Sequence, residues 1–108
     1  MSTHEIQQAL AELTRLNKKG VEALFEAEEE LAHAENELDT VEARAFLDSE
    51  GSVAERTARA KLVSADARLA RDLSKAQVNR IKTKLRSIES ELMAQATLAK
   101  IMQAEKKL

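Results

Sequence analysis

Apolar residues follow one helical spacing through the first 45 residues of this chain. They recur at alternating intervals of four and three residues without a slip, which is the pattern of a coiled-coil seam with a period of about 3.5 residues. The seam comprises Ile6, Leu10, Leu13, Asn17, Gly20, Leu24, Ala27, Leu31, Ala34, Leu38, Val41 and Ala45. A helix with such a seam needs a neighbouring helix along its length, so the spacing predicts helix-on-helix packing.

The composition restricts the chain to helix almost everywhere. Its 108 residues include no proline and only two glycines, the residue types that most strongly interrupt helices. Alanine, glutamate and leucine, all strong helix formers, are the commonest residues. We therefore expect an all-α fold, in the form of a long helical hairpin or coiled coil.

We expect a short N-terminal helix within residues 1–19, ahead of the hairpin. This helix is predicted to end at Lys18-Lys19-Gly20. Basic side chains are favourable at a helix C-terminus, and glycine often forms the cap that follows it.

The hairpin itself is predicted over residues 20–108. Ser52 and Glu55 have the spacing of a capping box, which marks the start of its second helix. The expected boundaries are a helix over about 21–49, a turn at 50–52 and a long helix over about 53–106.

The long helix has a seam of its own, formed by Val78, Ile81, Leu85, Ile88, Leu92, Gln95, Ala99 and Met102. Leu62, Leu69, Leu73 and Ala76 keep a shifted register, which predicts a bend or a change of partner near residues 74–78. The shorter helix of the hairpin covers only part of the long one, so the rest requires another subunit or the first segment folding back. We favour a homo-oligomer. Its predicted seam is Val78, Ile81, Leu85, Ile88, Leu92, Ala99 and Met102.

The formal net charge of −2 conceals a strong polarity along the chain. Residues 1–50 hold 13 acidic and four basic side chains, whereas residues 51–108 hold six acidic and 13 basic ones. Between Leu73 and Ile88 there are five bases and no acid. The five bases are Lys75, Arg80, Lys82, Lys84 and Arg86.

Two interpretations of this basic run are open. In the first, the acidic helix lies antiparallel on the basic one and the flanking charges select the pairing. In the second, a basic stripe stays open, because Arg80 and Lys84 share one helix face while Lys82 and Arg86 share another, and one acidic helix cannot reach both. An open stripe binds nucleic-acid phosphates without reading bases, so the five bases, Lys75 included, are candidate nucleic-acid-binding residues.

The sequence lacks the residue patterns of an enzyme. There is no cysteine, and neither His4 nor His33 has the spacing of a metal site. Ser64 and Ser74 have no histidine on their helix that could act as a base. We therefore expect no catalytic activity, no cofactor and no metal.

Stacking on bases and insertion into membranes are also not expected. Phe25 and Phe46, the only aromatic residues, both lie at positions next to the seam, so they form no base-stacking platform. No apolar run approaches the roughly 20 residues of a membrane span. The sequence therefore predicts a soluble protein without membrane contact.

Three stretches of the sequence together are typical of one family. An acidic, alanine-rich helix ends at Glu42–Leu47, a glycine-containing loop follows at Asp48–Ser52, and a long basic helix ends at Ala99–Glu105. In this arrangement residues 25–105 resemble the phage recombination mediators typified by UvsY. The resemblance implies a protein of the bacterial host cytoplasm that assembles into a ring-like homo-oligomer, binds single-stranded DNA and helps load a RecA-type recombinase onto strands coated by single-strand-binding protein.

The resemblance also implies a role for Arg44. In that family a Lys-x-Arg pair implicated in single-strand binding lies near the end of the helix before the loop. Here the same place reads Glu42-Ala43-Arg44, which keeps the arginine and reverses the charge of its neighbour. Arg44 therefore joins the candidate residues, and the Lys75–Arg86 run remains the main prediction.

Three functions stay open from the sequence. The first is the recombination mediator. The second is a structural or adaptor coiled coil, such as a phage assembly or scaffolding protein, whose charge polarity serves only helix pairing. The third is an inhibitor that presents its acidic helix as a phosphate-like surface to a nucleic-acid enzyme.

Overall fold

A computed structural model describes residues 2–106, and nearly all of these residues are helical. Helix α1 spans Thr3–Asp48, α2 spans Val53–Val63 and α3 spans Ala65–Lys106. No strand occurs in this part of the chain, so the prediction of an all-α fold is confirmed. Met1, Lys107 and Leu108, at the ends of the predicted segments, lie outside the described residues.

Helix α1 runs without interruption through the predicted break at residues 18–20. The separate N-terminal helix is therefore a wrong prediction, since Lys18, Lys19 and Gly20 lie in mid-helix. All the seam residues of α1 are buried or half-buried, including Asn17 and Leu24 on either side of the glycine. Burial of this continuous seam outweighs the helix-propensity cost of one glycine, which is about 1 kcal/mol.

Contacts within the chain define two compact units. The terminal unit combines Met1–Leu24 with Arg80–Leu108, and the turn unit is Phe25–Asn79. The N-terminal residues thus pair with the C-terminal part of α3, where the sequence predicted a separate N-terminal segment.

In the terminal unit the two helical segments are antiparallel. Thr3 lies beside Lys106, whose Nζ is 3.4 Å from the threonine Oγ1, and Gly20 lies beside Leu85. A Cβ atom on Gly20 would be 2.6 Å from Cδ2 of Leu85, so α1 and α3 approach each other closely at this point.

The seam of α3 is occupied within the chain itself. Val78, Leu85 and Ile88 are buried, and the other residues predicted for the oligomer seam are buried in part, although Ile101 beside them is exposed. This seam was predicted to contact another subunit, because the shorter helix of the predicted hairpin left it uncovered. The structure removes that reason, because α1 has 46 residues and its N-terminal part packs against the seam. The half-buried members are Ile81, Leu92, Ala99 and Met102.

In the turn unit the second arm of the hairpin presents small side chains to α1. Ala60 and Ser64 are buried, and Ala67 and Ser74 are half-buried. These four residues continue the heptad spacing of the α3 seam toward the turn. Small residues at a helix interface allow the opposing side chains of α1 to pack close to the backbone.

Large apolar side chains of the same arm lie on its outer side. The exposed fraction is 77% for Leu62, 59% for Leu69 and 63% for Leu73. The leucines of the shifted register therefore form an outward-facing stripe. We call Leu62, Leu69 and Leu73 the leucine face. It does not coincide with a bend at residues 74–78, where α3 is continuous.

The prediction of one long helix over about 53–106 is wrong, because the helix breaks at Ser64, between α2 and α3. This residue is fully buried and has a ψ of 7°, which departs from helical geometry. Its hydroxyl is 3.3 Å from the Lys61 carbonyl oxygen, to which it donates, and accepts a hydrogen bond from Arg68 Nη2 at 3.0 Å. A serine that bonds back to the preceding turn competes with the helical backbone and bends the helix.

The chain reverses direction between α1 and α2, at residues 49–52. Gly51 has a φ of +110°, a conformation that residues with a side chain rarely adopt. Ser52 Oγ accepts a hydrogen bond from the Glu55 amide at 3.2 Å and donates one to the Glu55 carboxylate at 3.1 Å. Ser52 is therefore the N-cap of α2, as the sequence predicts, while the Glu55 carboxylate bonds the Ser52 hydroxyl and not its backbone amide.

Gly51→Ala is expected to destabilise the protein by about 1–2 kcal/mol, because a side chain at positive φ strains the backbone. Thermal unfolding followed by circular dichroism measures the effect. Glu50→Ala, at an exposed neighbouring position, is the control and should change stability by less than about 0.5 kcal/mol. Equal stability of the two variants would contradict the role of Gly51 in the turn.

The contact between Gly20 and Leu85 can be measured with a double-mutant cycle in denaturant unfolding. In the wild-type background Gly20→Ala is expected to give no stabilisation, because overpacking against Leu85 offsets the gain of about 1 kcal/mol in helix propensity. In a Leu85→Ala background the same substitution should stabilise by about 1 kcal/mol. Equal stabilisation in both backgrounds would show that the helices do not approach closely there.

Candidate nucleic-acid interface

All the predicted nucleic-acid-binding residues are exposed. Arg80, Lys82, Lys84 and Arg86 lie together on α3 in the terminal unit. Lys75 lies earlier on the same helix, in the turn unit, and Arg44 lies on α1 in the turn unit. The predicted residues are thus divided between the two units, with four in the terminal unit and two in the turn unit.

The seam determines where the four cations point. Ile81, Leu85 and Ile88 face α1, so the residues between them project to the sides of the helix pair. Lys82 and Arg86, four residues apart, lie on one edge of this pair. The other edge carries the second such couple, Arg80 and Lys84.

Two lysines of α1 extend the cationic surface of the terminal unit. The contact of Gly20 with Leu85 sets the register of the antiparallel helices and brings Lys18 and Lys19 to the level of Arg86. Both lysines are exposed. Lys18 and Lys19 were not among the predicted binding residues, because they were assigned to a helix C-terminus. The unbroken seam through Gly20 is the sequence signal that places them in mid-helix.

Each lysine belongs to a different edge of the helix pair. Gln7 and Gln103 line one cavity at the end of the terminal unit and so mark a shared edge. Lys18, three helical turns along α1 from Gln7, falls on that edge, and Lys19 falls on the opposite one. We call Lys18, Lys82 and Arg86 the first cationic edge. The second cationic edge consists of Lys19, Arg80 and Lys84.

These six cations have no acidic partners within 4 Å among residues 2–106. The ion pairs in this part of the chain are local: Arg15 with Glu12 at 2.6 Å, His33 with Glu29 at 3.9 Å, and Arg71 with Asp72 at 2.7 Å. The six basic side chains are therefore not held in direct ion pairs with the acidic residues of α1.

Arg15, a further cation of the terminal unit, is engaged by its neighbour. Its Nε and Nη2 both donate to the Glu12 carboxylate, at 3.1 and 2.6 Å. These hydrogen bonds, together with the positive charge of Arg15, lower the pKa of Glu12 below its usual value. Arg15 is thus partly neutralised, unlike the cations of the two edges.

The charge of the two units differs in sign. The terminal unit holds six acidic and ten basic residues, a net charge of +4, whereas the turn unit holds 13 acidic and seven basic residues, a net charge of −6. The difference in net charge between the two halves of the sequence therefore corresponds to a difference in net charge between the two units.

The two aromatic side chains have different surroundings. Phe46 is half-buried, and the guanidinium carbon of Arg56 lies 4.2 Å from its ring centre. Phe25 is 66% exposed. Both were predicted to lie beside the seam; the ring of Phe46 is packed, whereas the ring of Phe25 is open to solvent.

The described residues offer no arrangement for metal binding. Among residues 2–106, no group of three or more histidine or carboxylate side chains lies close enough together to hold a metal ion. His4 and His33 are both exposed, and Ser64 is buried with its hydroxyl bonded to the backbone. Within the same range, no helix combines the length and apolarity that crossing a membrane requires.

Comparison with known proteins identified no relative of this chain. No protein-family model, curated protein or solved structure matches this chain.

Proposed function

We propose that this chain is a non-enzymatic protein that binds the phosphate backbone of single-stranded DNA through the two cationic edges. The observation that carries the proposal is that these six side chains are exposed and have no acidic partner in the described part of the chain. Rows of lysine and arginine displace the counterions of phosphates, so binding is sensitive to salt and independent of base sequence.

The shape of the cationic surface favours single strands over duplex DNA. A flexible strand can follow a narrow row of cations along a helix edge, as it follows the basic grooves of other single-strand binders.

We propose recombination mediation in a bacterial host cytoplasm as the biological setting, with a RecA-type recombinase and single-strand-binding protein as partners. The support is the resemblance of residues 25–105 to the phage mediators. Self-association is part of this proposal, because several copies bring several cationic edges onto one strand and raise the affinity without new contacts.

The leucine face supports self-association. Leu62, Leu69 and Leu73 expose most of their side chains in one stripe, and stripes of this kind mark interaction surfaces. This surface takes over the role that the sequence gave to the α3 seam, which is packed within the chain.

DNA binding can be tested by fluorescence anisotropy of a labelled oligonucleotide at several salt concentrations. The wild-type protein should bind the single strand more tightly than a duplex of equal length, with an affinity that falls steeply with salt. Replacing the first cationic edge (Lys18→Gln, Lys82→Gln, Arg86→Gln) should reduce the slope of log affinity against log salt by about 2, because three phosphate contacts are lost. The corresponding variant of the second cationic edge should behave in the same way.

A matched control removes three other exposed lysines, in Lys61→Gln, Lys100→Gln and Lys106→Gln. It changes the net charge by the same amount and should leave the salt slope nearly unchanged. If the control weakens binding as much as the edge variants, the binding is diffuse and the assignment to the edges is wrong. If the wild-type protein does not bind at low salt, the proposed function is wrong.

Self-association can be tested by sedimentation velocity in the absence of DNA. Leu69→Glu with Leu73→Glu should convert the oligomer to a monomer, because charged side chains on the leucine face cannot be buried between copies. Both positions are exposed, so the fold of the single chain should be preserved. Met93→Glu with Ile101→Glu, at exposed positions on α3 in the terminal unit, is the control and should leave assembly intact.

A second candidate, the structural or adaptor coiled coil, is favoured by the same leucine face. Both candidate functions predict an oligomer, and they differ in whether the protein binds DNA. Assembly through the leucine face without any affinity for DNA would select this candidate.

A further inference from the structure

A groove of about 530 Å³ lies beside the turn, within the turn unit. Its volume falls within the range of about 300–1,000 Å³ that is usual for binding clefts. It is shallow and mostly open to solvent, which suits a protein segment better than a small molecule. The groove is lined by Asp39, Glu42, Ala43, Phe46 and Leu47 of α1, and by Ala60 of α2 among others.

The lining combines an apolar surface with negative charge. Ala43 and Ala60 are short, so they leave space between the helices, and Leu47 is 73% exposed. Asp39 is exposed and Glu42 half-buried, and neither has a basic side chain within 4 Å among residues 2–106.

The acidic side of the groove continues along α1. Glu28 and Glu35 precede Glu42 at intervals of seven residues, so all three lie along one helix edge. Both are exposed and, like Glu42, have no ion-pair partner in the described part of the chain; Glu29, on another face of the helix, has His33. The row presents negative charge over about 20 Å of helix, at a rise of about 1.5 Å per residue.

We propose that this groove docks a cationic amphipathic helix of another protein. The apolar residues of that helix pack on Phe46, Leu47 and Ala60, while its lysine or arginine residues face Asp39 and Glu42. Helix-in-groove recognition uses apolar anchors at intervals of three and four residues, and complementary charge sets the orientation of the bound helix.

A second copy of this chain does not fit the groove. In the basic run, Ile81, Leu85 and Ile88 are packed within the chain, so this run offers charge without apolar anchors. The leucine face offers anchors, but its border carries both signs of charge, with Arg59 beside Leu62 and the carboxylates of Asp66 and Asp72 beside Leu69, which would face the carboxylates of the groove. The ligand that matches both properties of the groove is therefore a segment of a different protein.

A synthetic 18-residue peptide of leucine and lysine, with one tryptophan among the leucines of its apolar face, is the probe. The chain contains no tryptophan or tyrosine, so tryptophan fluorescence comes from the peptide alone. Docking should shift the emission to shorter wavelength, because the indole leaves water. A peptide of the same composition in shuffled order, which has no apolar face, should bind at least tenfold more weakly.

Three variants locate the site. Asp39→Asn with Glu42→Gln keeps the shape of the groove and removes its charge, and it should weaken peptide binding about tenfold. Ala43→Leu fills the groove and should abolish the wavelength shift. Glu30→Gln with Glu37→Gln removes the same charge from other exposed positions of α1 and should leave both affinity and wavelength shift unchanged, with circular dichroism verifying that all variants stay helical.

The proposal is overturned if the control pair weakens the peptide as much as the groove pair, since binding is then general attraction to an acidic helix. It is also overturned if the amphipathic and shuffled peptides bind equally, or if neither binds. The result is independent of DNA binding, because the groove residues lie in the turn unit and the cationic edges in the terminal unit.

Discussion

Burial of the α1 seam is the constraint on which the rest of the structure depends. Apolar side chains at intervals of four and three residues form a stripe that cannot remain in water over 46 residues, so in each unit a segment of the second arm packs on its part of α1. The stripe also keeps α1 helical through Gly20, where local preference favours an end. At that glycine α3 comes so close that Leu85 occupies the space of a side chain.

The choice of residues that cover α1 determines which residues are left outside. In the turn unit the covering residues are small, such as Ala60 and Ser64, and the large side chains of Leu62 and Leu69 remain exposed. In the terminal unit the covering residues are large, such as Leu85 and Ile88, and the exposed residues between them are cationic. One helix packing against two different inner faces thus produces two different outer surfaces.

These surfaces suit partners of different chemistry. Binding to a phosphate backbone requires exposed positive charge but no shaped pocket, and the terminal unit has such charge on both edges. Docking of a helix requires apolar contact beside complementary charge, and the groove lined by Glu42, Phe46 and Leu47 combines the two. The net charges of +4 and −6 separate the two proposed kinds of binding, because each unit repels the ligand proposed for the other.

The sequence by itself determined the helical class, the α1 seam, the N-cap at Ser52 and the acid-free basic run, because spacing and local propensity act over a few residues. Its unbroken seam also indicated that α1 continues through Gly20, against the local preference for a helix end there. It could not determine that the second arm breaks at Ser64, or which residues of α3 lie level with Lys18 and Lys19. These features were decided by tertiary structure. A helix with two apolar stripes can bury only one against a given neighbour, and close packing against α1 selected the stripe with small residues and left the leucines exposed.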